Sequence, residues 1–201
     1  GGSTLLERAI NLLINHGVEE ITVNTHHLAN QIEKFISDFK SQAKIKISSE
    51  KDLLLDTGGG VKKGTKEFND NPFFVINPDT LWSNKYSEEV QSLEKEYLIN
   101  KRPCLLLVKK ELSLDNSFKG DFNLKNNLIS KDEKNQFIFT GLQIMKNDHL
   151  AFFNRNIFSM NEVWTKLISE NNLGGLESNQ KFYHLNTVEM FEKISSLSSI
   201  D

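Results

Sequence analysis

Pro72-Phe73-Phe74-Val75-Ile76-Asn77-Pro78-Asp79-Thr80-Leu81-Trp82 is the stretch that decides the fold. Phe73 to Ile76 are consecutive apolar residues, two aromatic and two β-branched, and predict a short strand buried on both faces. Pro78 has no N–H to donate and ends the ladder. Asp79 is thereby expected just past the carboxyl end of an interior strand, where open α/β sheets bind their ligands. A carboxylate there can hold a hard cation and, through it, a phosphate chain. A turn aspartate can equally bond its own backbone, and this segment alone leaves both roles open.

Upstream of this strand, Thr4 and Glu7 have capping-box spacing, and Leu5, Leu6, Ala9, Ile10, Leu12 and Leu13 follow at helical intervals until Gly17. Val18 to Thr25 predicts a strand with Ile21 and Val23 on one face, and Asn24, His26 and His27 fall at its end. Leu28, Ile32, Phe35, Ile36 and Phe39 mark a second amphipathic helix, and Lys44 to Ser48 a second strand. Helix-strand-helix-strand at these lengths argues for parallel units with helical crossovers.

Downstream, Glu88 to Asn100 reads as a charged surface helix and Cys104 to Lys109 as a buried strand. Lys119 to Leu124 and Asn126-Asn127 suggest a hairpin. Gln136 to Met145 is a strand interrupted by Thr140-Gly141, where a glycine marks a bulge or a ligand close to the backbone. Ser159 and Glu162 form a second capping box before a helix. Lys181 to Leu185 predicts a last strand, and Thr187 to Leu197 a last helix.

Between the second strand and the Asp79 strand lies Asp56-Thr57-Gly58-Gly59-Gly60-Val61. Three adjacent glycines let a backbone turn with positive φ and approach a flat ligand, with a helix expected from Val61. Two phosphate motifs fail: a P-loop needs lysine where Thr65 stands, and a dinucleotide fingerprint from Gly58 needs glycine where Lys63 stands. A dinucleotide-binding oxidoreductase is disfavoured accordingly. A plain turn and a ligand loop both remain.

The composition, 38% apolar and 25% charged with 14 Phe, is globular. A length of 201 residues suits a single domain, 1–201. Net charge is −3 with dispersed basic residues, so no nucleic-acid footprint is expected. The longest aliphatic run, Leu105 to Val108, is too short for a bilayer, and no signal peptide is visible, so the expectation is a cytoplasmic protein without membrane contact. Cys104 has no second cysteine to pair with and reads as a buried, inert thiol.

Taken together, Thr57-Gly58-Gly59-Gly60, Asn77-Pro78-Asp79, Gly120-Asp121-Phe122 and Phe139-Thr140-Gly141-Leu142-Gln143 resemble the sugar-1-phosphate nucleotidyltransferases. The similarity is greatest to the branch acting on N-acetylmuramate 1-phosphate in cell-wall recycling, with mannose-1-phosphate guanylyltransferases also alike. That branch has segments similar to Val23-Asn24-Thr25-His26 and Phe158-Ser159-Met160-Asn161. The resemblance runs along nearly the whole chain. It implies a Rossmann-like nucleotide-diphospho-sugar transferase sandwich with a mixed, mostly parallel sheet and a small β-hairpin extension.

It also implies attack of a sugar 1-phosphate on a nucleoside triphosphate, UTP before GTP, with Mg²⁺ as cofactor and pyrophosphate as leaving group. Glu50, Thr57, Gly58 and Gly59 would receive the base. Asp79 would be catalytic and hold the metal. Asn77, Gly120, Asp121, Thr140 and Gly141 would line the sugar side. His184 stands where many members place a second metal-binding aspartate, and imidazole is a poor ligand for Mg²⁺. Family members begin with a strand and a Gly-rich loop of the form G-x-G-T-R, whereas this sequence starts at what resembles the next segment. The expectation is either a fragment or a chain that has lost its phosphate grip, with a central sheet position left empty or filled by a partner. A non-catalytic nucleotide-sugar-binding paralogue is the second reading, and an oligomer is compatible with both.

Overall fold

The computed structural model describes residues 2–195. Helix α1 (Leu5–Asn15) opens on the expected capping box: the Thr4 hydroxyl accepts from the Glu7 N–H, and the Glu7 carboxylate accepts from the Thr4 N–H. Strand β1 (Glu20–Thr25), helix α2 (Ala29–Asp38) and strand β2 (Lys44–Ser49) form the expected parallel unit. Ile21 lies opposite Ile45 and Val23 opposite Ile47, and these two strands make a small sheet of their own.

Helix α3 (Asp56–Gly64) follows, then β3 (Phe73–Ile76), α4 (Ser87–Asn100), β4 (Cys104–Lys109), β5 (Asn123–Lys125), β6 (Leu128–Ser130) and β7 (Phe137–Met145). Helix α5 (Met160–Ser169), β8 (Gly174–Ser178) and α6 (Val188–Ser195) complete the described residues. The second sheet has the order β3-β7-β4-β8-β6-β5. It is mixed: β4 and β8 pair in parallel, and β7 runs against both β3 and β4. Asn126 and Asn127 turn the β5–β6 hairpin with φ of 52° and 58°, the left-handed pair that a two-residue turn requires.

Strand β4 is the centre of the core. Cys104 to Leu107 are fully inaccessible, and helices cover both faces. On one face Leu106 and Leu142 meet Trp82, Val90, Leu93 and Tyr97. On the other, Leu105 and Leu107 meet Met145, Val163 and Leu167. At about 2 kcal/mol for each fully buried large apolar side chain, this two-sided burial is the main stabilising contribution. Burial pushes the Cys104 thiol up to about 12, so it is the inert thiol expected.

Four expectations are corrected. Strand β3 is not interior but at the sheet's edge, with only Phe73 fully buried among its residues. Helix α3 begins at Asp56, so the three glycines lie inside it rather than in a loop before Val61. Residues 181–185 make only single bridges, at Phe182 and His184, while the last strand is β8. The final helix starts at Val188, and positions 196 and 197 of the range expected for it lie outside the described residues.

Helix α1 lies across both sheets. Ile10 and Leu13 pack on Ile21 and Val23 of β1, while Ala9 and Leu12 pack with Phe74 and Ile76 of β3. Beneath it, between β1 and β3, is a cleft of about 1080 Å³.

Candidate active site

The strands β1, β2 and β3 end near one another at the upper mouth of this cleft, where Asn24, Thr25, His26, Glu50, Asp56, Thr57, Asn77 and Pro78 come together. Glu50 follows β2 and is buried, at 6% exposure. One of its carboxylate oxygens accepts from the Leu55 N–H at 3.0 Å and the other from the Asn24 amide at 3.1 Å. It therefore ties the end of β1 to the start of α3. Its carboxylate does not project freely into the cleft.

The first turn of α3 is held as closely. The N–H groups of Gly58 and Gly59 both donate to the Phe158 carbonyl, at 2.9 and 3.0 Å. The Thr57 hydroxyl accepts from the Met160 N–H at 2.9 Å, and the Thr57 N–H donates to Asp56. The Ser159 capping box starts α5 at this point, so the beginnings of α3 and α5 are locked together beside the mouth. Sequence reasoning overlooked this coupling. The similarity of Phe158-Ser159-Met160-Asn161 to family segments was the one available signal.

A second group gathers where β3 ends against the middle of β7. The Asn77 N–H donates to the Gly141 carbonyl at 2.8 Å. Gly141 has φ of 94°, and a Cβ there would stand 2.9 Å from that of Asn77, so only glycine lets the two strands approach this closely. The Thr80 hydroxyl donates to the Thr140 carbonyl, and the Thr140 hydroxyl to the Leu106 carbonyl. Asp121 accepts from the Phe139 N–H at 2.9 Å, and Gly120 abuts the Asn135 carbonyl. Asn77, Thr140 and Gly141 are thus in contact beside Asp79. Gly120 and Asp121 sit farther along β7 and brace its first residues.

Asp79 and His184 meet directly. The imidazole Nε2 is 3.1 Å from the Asp79 carboxylate, and Thr80 and His184 form a bridge that joins the two segments. The ring is stacked on Phe182 and edge-on to Phe118. The second Asp79 oxygen and His184 Nδ1 are buried and have no hydrogen-bond partner. Asp79 is the residue whose chemistry fits a hard cation: that buried, unpartnered oxygen could be one ligand, and phosphate and water oxygens the others. No group of three or more His, Cys, Asp or Glu that could hold a metal exists among the described residues. His184 is directed at the carboxylate itself and positions it.

The hydrogen bond to Asp79 raises the His184 pKa from its ordinary value, against burial, which lowers it. A raised folded-state pKa means that the stabilisation is fully present below the unfolded value of about 6.5 and is lost as pH rises through the folded value. His184→Asn should therefore lower the melting temperature at about pH 5.5 and much less at about pH 8.5. Thermal denaturation across that range checks this, and a difference that does not change with pH would refute the pairing.

No protein-family model matches the chain. A curated protein from Caulobacter vibrioides, N-acetylmuramate alpha-1-phosphate uridylyltransferase, is 24% identical over 192 residues, covering 92% of this chain and 79% of its own. The crystal structure of HddC from Yersinia pseudotuberculosis complexed with GMP-PN superposes with a TM-score of 0.76 at 19% identity, over 96% of this chain and 84% of HddC. A UDP-glucose pyrophosphorylase complexed with UDP-glucose gives 0.74 at 14% identity, over 95% and 84% of the two chains. Among the described residues no helix is long and apolar enough to cross a membrane. Sequence similarity along nearly the whole chain and the shared Rossmann-like nucleotide-diphospho-sugar transferase fold thus bear out the resemblance carried by the ordered motifs: the chain is similar to the sugar-1-phosphate nucleotidyltransferases.

Proposed function

We infer that the protein joins a nucleoside triphosphate, UTP, to a sugar 1-phosphate and releases pyrophosphate. The observation that carries this reading is the Asp79 carboxylate at the end of β3, with one oxygen buried and unpartnered, beside Asn77, Thr140 and Gly141. A phosphate oxygen of the sugar 1-phosphate forms the new bond to the α-phosphorus. The bond from that phosphorus to the bridging oxygen breaks, and pyrophosphate leaves with the electron pair. Such a transfer asks a protein for alignment and charge neutralisation more than for covalent help.

Asp79 would hold the divalent cation, Mg²⁺, which supplies that neutralisation. His184 fixes the orientation of Asp79, and the upper mouth of the cleft takes the nucleotide. The uridylyltransferase named among the relatives favours UTP and makes N-acetylmuramate 1-phosphate the first sugar to try. Similarity to transferases favours transfer over a binding-only paralogue.

Calorimetric titration with UTP, GTP and a UDP-sugar, each with and without Mg²⁺, tests the reading. Magnesium-dependent binding of UTP that falls at least tenfold in Asp79→Ala is the expected result. Binding of the UDP-sugar alone, indifferent to Asp79, would overturn it in favour of a binding-only protein.

A further inference from the structure

We propose that Trp82 and Tyr86 are positioning residues, an aromatic pair sunk in the core that sets the register between the turn carrying Asp79 and the strap, residues 179–185, carrying His184. Their role in catalysis rests on the transfer reading above, but the geometry that they impose does not. The turn and the strap meet through two backbone bonds and the Asp79–His184 pair. The Leu185 N–H donates to the Asp79 carbonyl at 2.7 Å and the Leu81 N–H to the Tyr183 carbonyl at 2.9 Å, on either side of the Thr80–His184 bridge. An antiparallel pair this short is not stable by itself. Burial does not hold the carboxylate either, since the Asp79 side chain is 47% exposed.

Both segments are tied instead to one pair of rings. The Trp82 indole N–H donates to the Asn77 carbonyl at 2.7 Å and so closes the turn onto its own start. The Tyr86 hydroxyl donates to the Lys181 carbonyl at 3.1 Å, on the strap just ahead of His184. The two rings meet edge to face, with centroids 4.9 Å apart and planes at 75°. Neither ring has room to move. Trp82 is fully inaccessible, Tyr86 is buried, and both pack in the cluster that contains Leu106 of β4 and Leu142 of β7.

A buried indole or phenol needs a polar partner, and here each finds it in a carbonyl of the candidate site rather than in the core around it. Burial, with the Glu89 carboxylate nearby, pushes the Tyr86 phenol above its ordinary value, so at neutral pH it is protonated and donates. The rigid centre of the sheet is thereby connected to both halves of the Asp79–His184 pair through two hydrogen bonds. Chemistry that depends on alignment is sensitive to such a brace: displacing a reacting group by about 1 Å can cost on the order of 100-fold in rate. Removing one of the two bonds should loosen the register without unfolding the protein, because a single hydrogen bond contributes little to overall stability.

Tyr86→Phe removes the hydroxyl and keeps the ring, and Trp82→Phe removes the indole N–H. Tyr97→Phe is the control, because Tyr97 is buried in the same cluster and its hydroxyl bonds to neither the turn nor the strap among the described residues. In the metal-free protein, amide hydrogen exchange at Leu81 and Leu185 should speed by about tenfold in Tyr86→Phe and Trp82→Phe, and not in Tyr97→Phe. Mg²⁺-dependent UTP affinity should fall about fivefold in Tyr86→Phe, while affinity without Mg²⁺ stays within about twofold of the parent's. In an Asp79→Asn background, Tyr86→Phe should change UTP affinity by less than about twofold, since effects exerted through one group do not add. Unchanged exchange in Tyr86→Phe, the same response to Tyr97→Phe, or an undiminished loss in the Asp79→Asn background would overturn the proposal. Faster exchange with unaltered Mg²⁺-dependent affinity would also overturn it, leaving a merely structural contact. A parent that binds no UTP, with exchange responding as expected, would overturn the transfer reading and leave the brace standing.

Discussion

Gly59→Val should be among the most destabilising single substitutions in this chain, costing about 3 kcal/mol or more. A Cβ built on Gly59 would stand 1.9 Å from the Asn156 carbonyl oxygen, where the opposing atom is backbone and cannot rotate away. The neighbouring N–H bonds from Gly58 and Gly59 to the Phe158 carbonyl draw this segment onto the helix, so relieving the clash means breaking them. Helix propensity acts in the opposite direction, but removing a glycine from a helix gains at most about 1 kcal/mol, and β-branched valine gains less. The clash prevails. Urea denaturation should show a much reduced midpoint with an unchanged slope, whereas Gly2→Val, with open space around it, should leave the midpoint within error. A Gly59→Val midpoint equal to the parent's would refute the close docking of residues 156–158 on α3.

The same region shows why part of the site could not be read in advance. Periodicity placed β1, β2, β4 and β7 because a half-buried or buried strand repeats every two residues, and it placed α1 and α5 because capping boxes mark where they start. It misjudged the glycine run, since three glycines in sequence carry no periodic signal and normally argue against a helix. They are helical here because Phe158, Asn156, Asn24 and Glu50 press against them, a tertiary demand invisible in a local window. Strand β3 was expected to be interior because Phe-Phe-Val-Ile is apolar throughout, yet the cleft and α1, not a paired strand, receive its outer side. Strand β8 was overlooked because Gly174-Gly175 disguises it, although those glycines admit Arg102 and Ile129 close to the backbone. Among site residues, the Asp79 position followed directly from a proline ending a strand. Its pairing with His184, more than a hundred positions away, could come only from the fold.

Glu50→Ala should abolish nucleotide binding and lower stability by about 2 to 3 kcal/mol, while Glu50→Gln should preserve most of both. The resemblance assigns Glu50 to the nucleotide, and its geometry indicates an indirect route. Its carboxylate is occupied by the Leu55 N–H and the Asn24 amide, which in turn lies against Gly60 and Gly64 of α3. Alanine would leave the buried Leu55 N–H without a partner and free the exposed Asn24 amide from its tie, and leaving a buried donor unpaired costs more than the net gain of making its bond. Freed from this tie, the start of α3 would no longer be held against β1, and the mouth formed by Asn24, Asp56 and Thr57 would lose its shape. Glutamine keeps an acceptor for Leu55, and Asn24 can rotate its amide to receive the new donor, so the tie survives without the charge. A direct contact between the Glu50 carboxylate and a base edge would behave differently. There, glutamine would present a donor where an acceptor was needed and weaken binding at least tenfold with stability intact. Measuring melting temperature and UTP affinity together on both variants separates these cases: affinity that follows stability marks a positioning residue, and affinity lost at constant stability marks a contact.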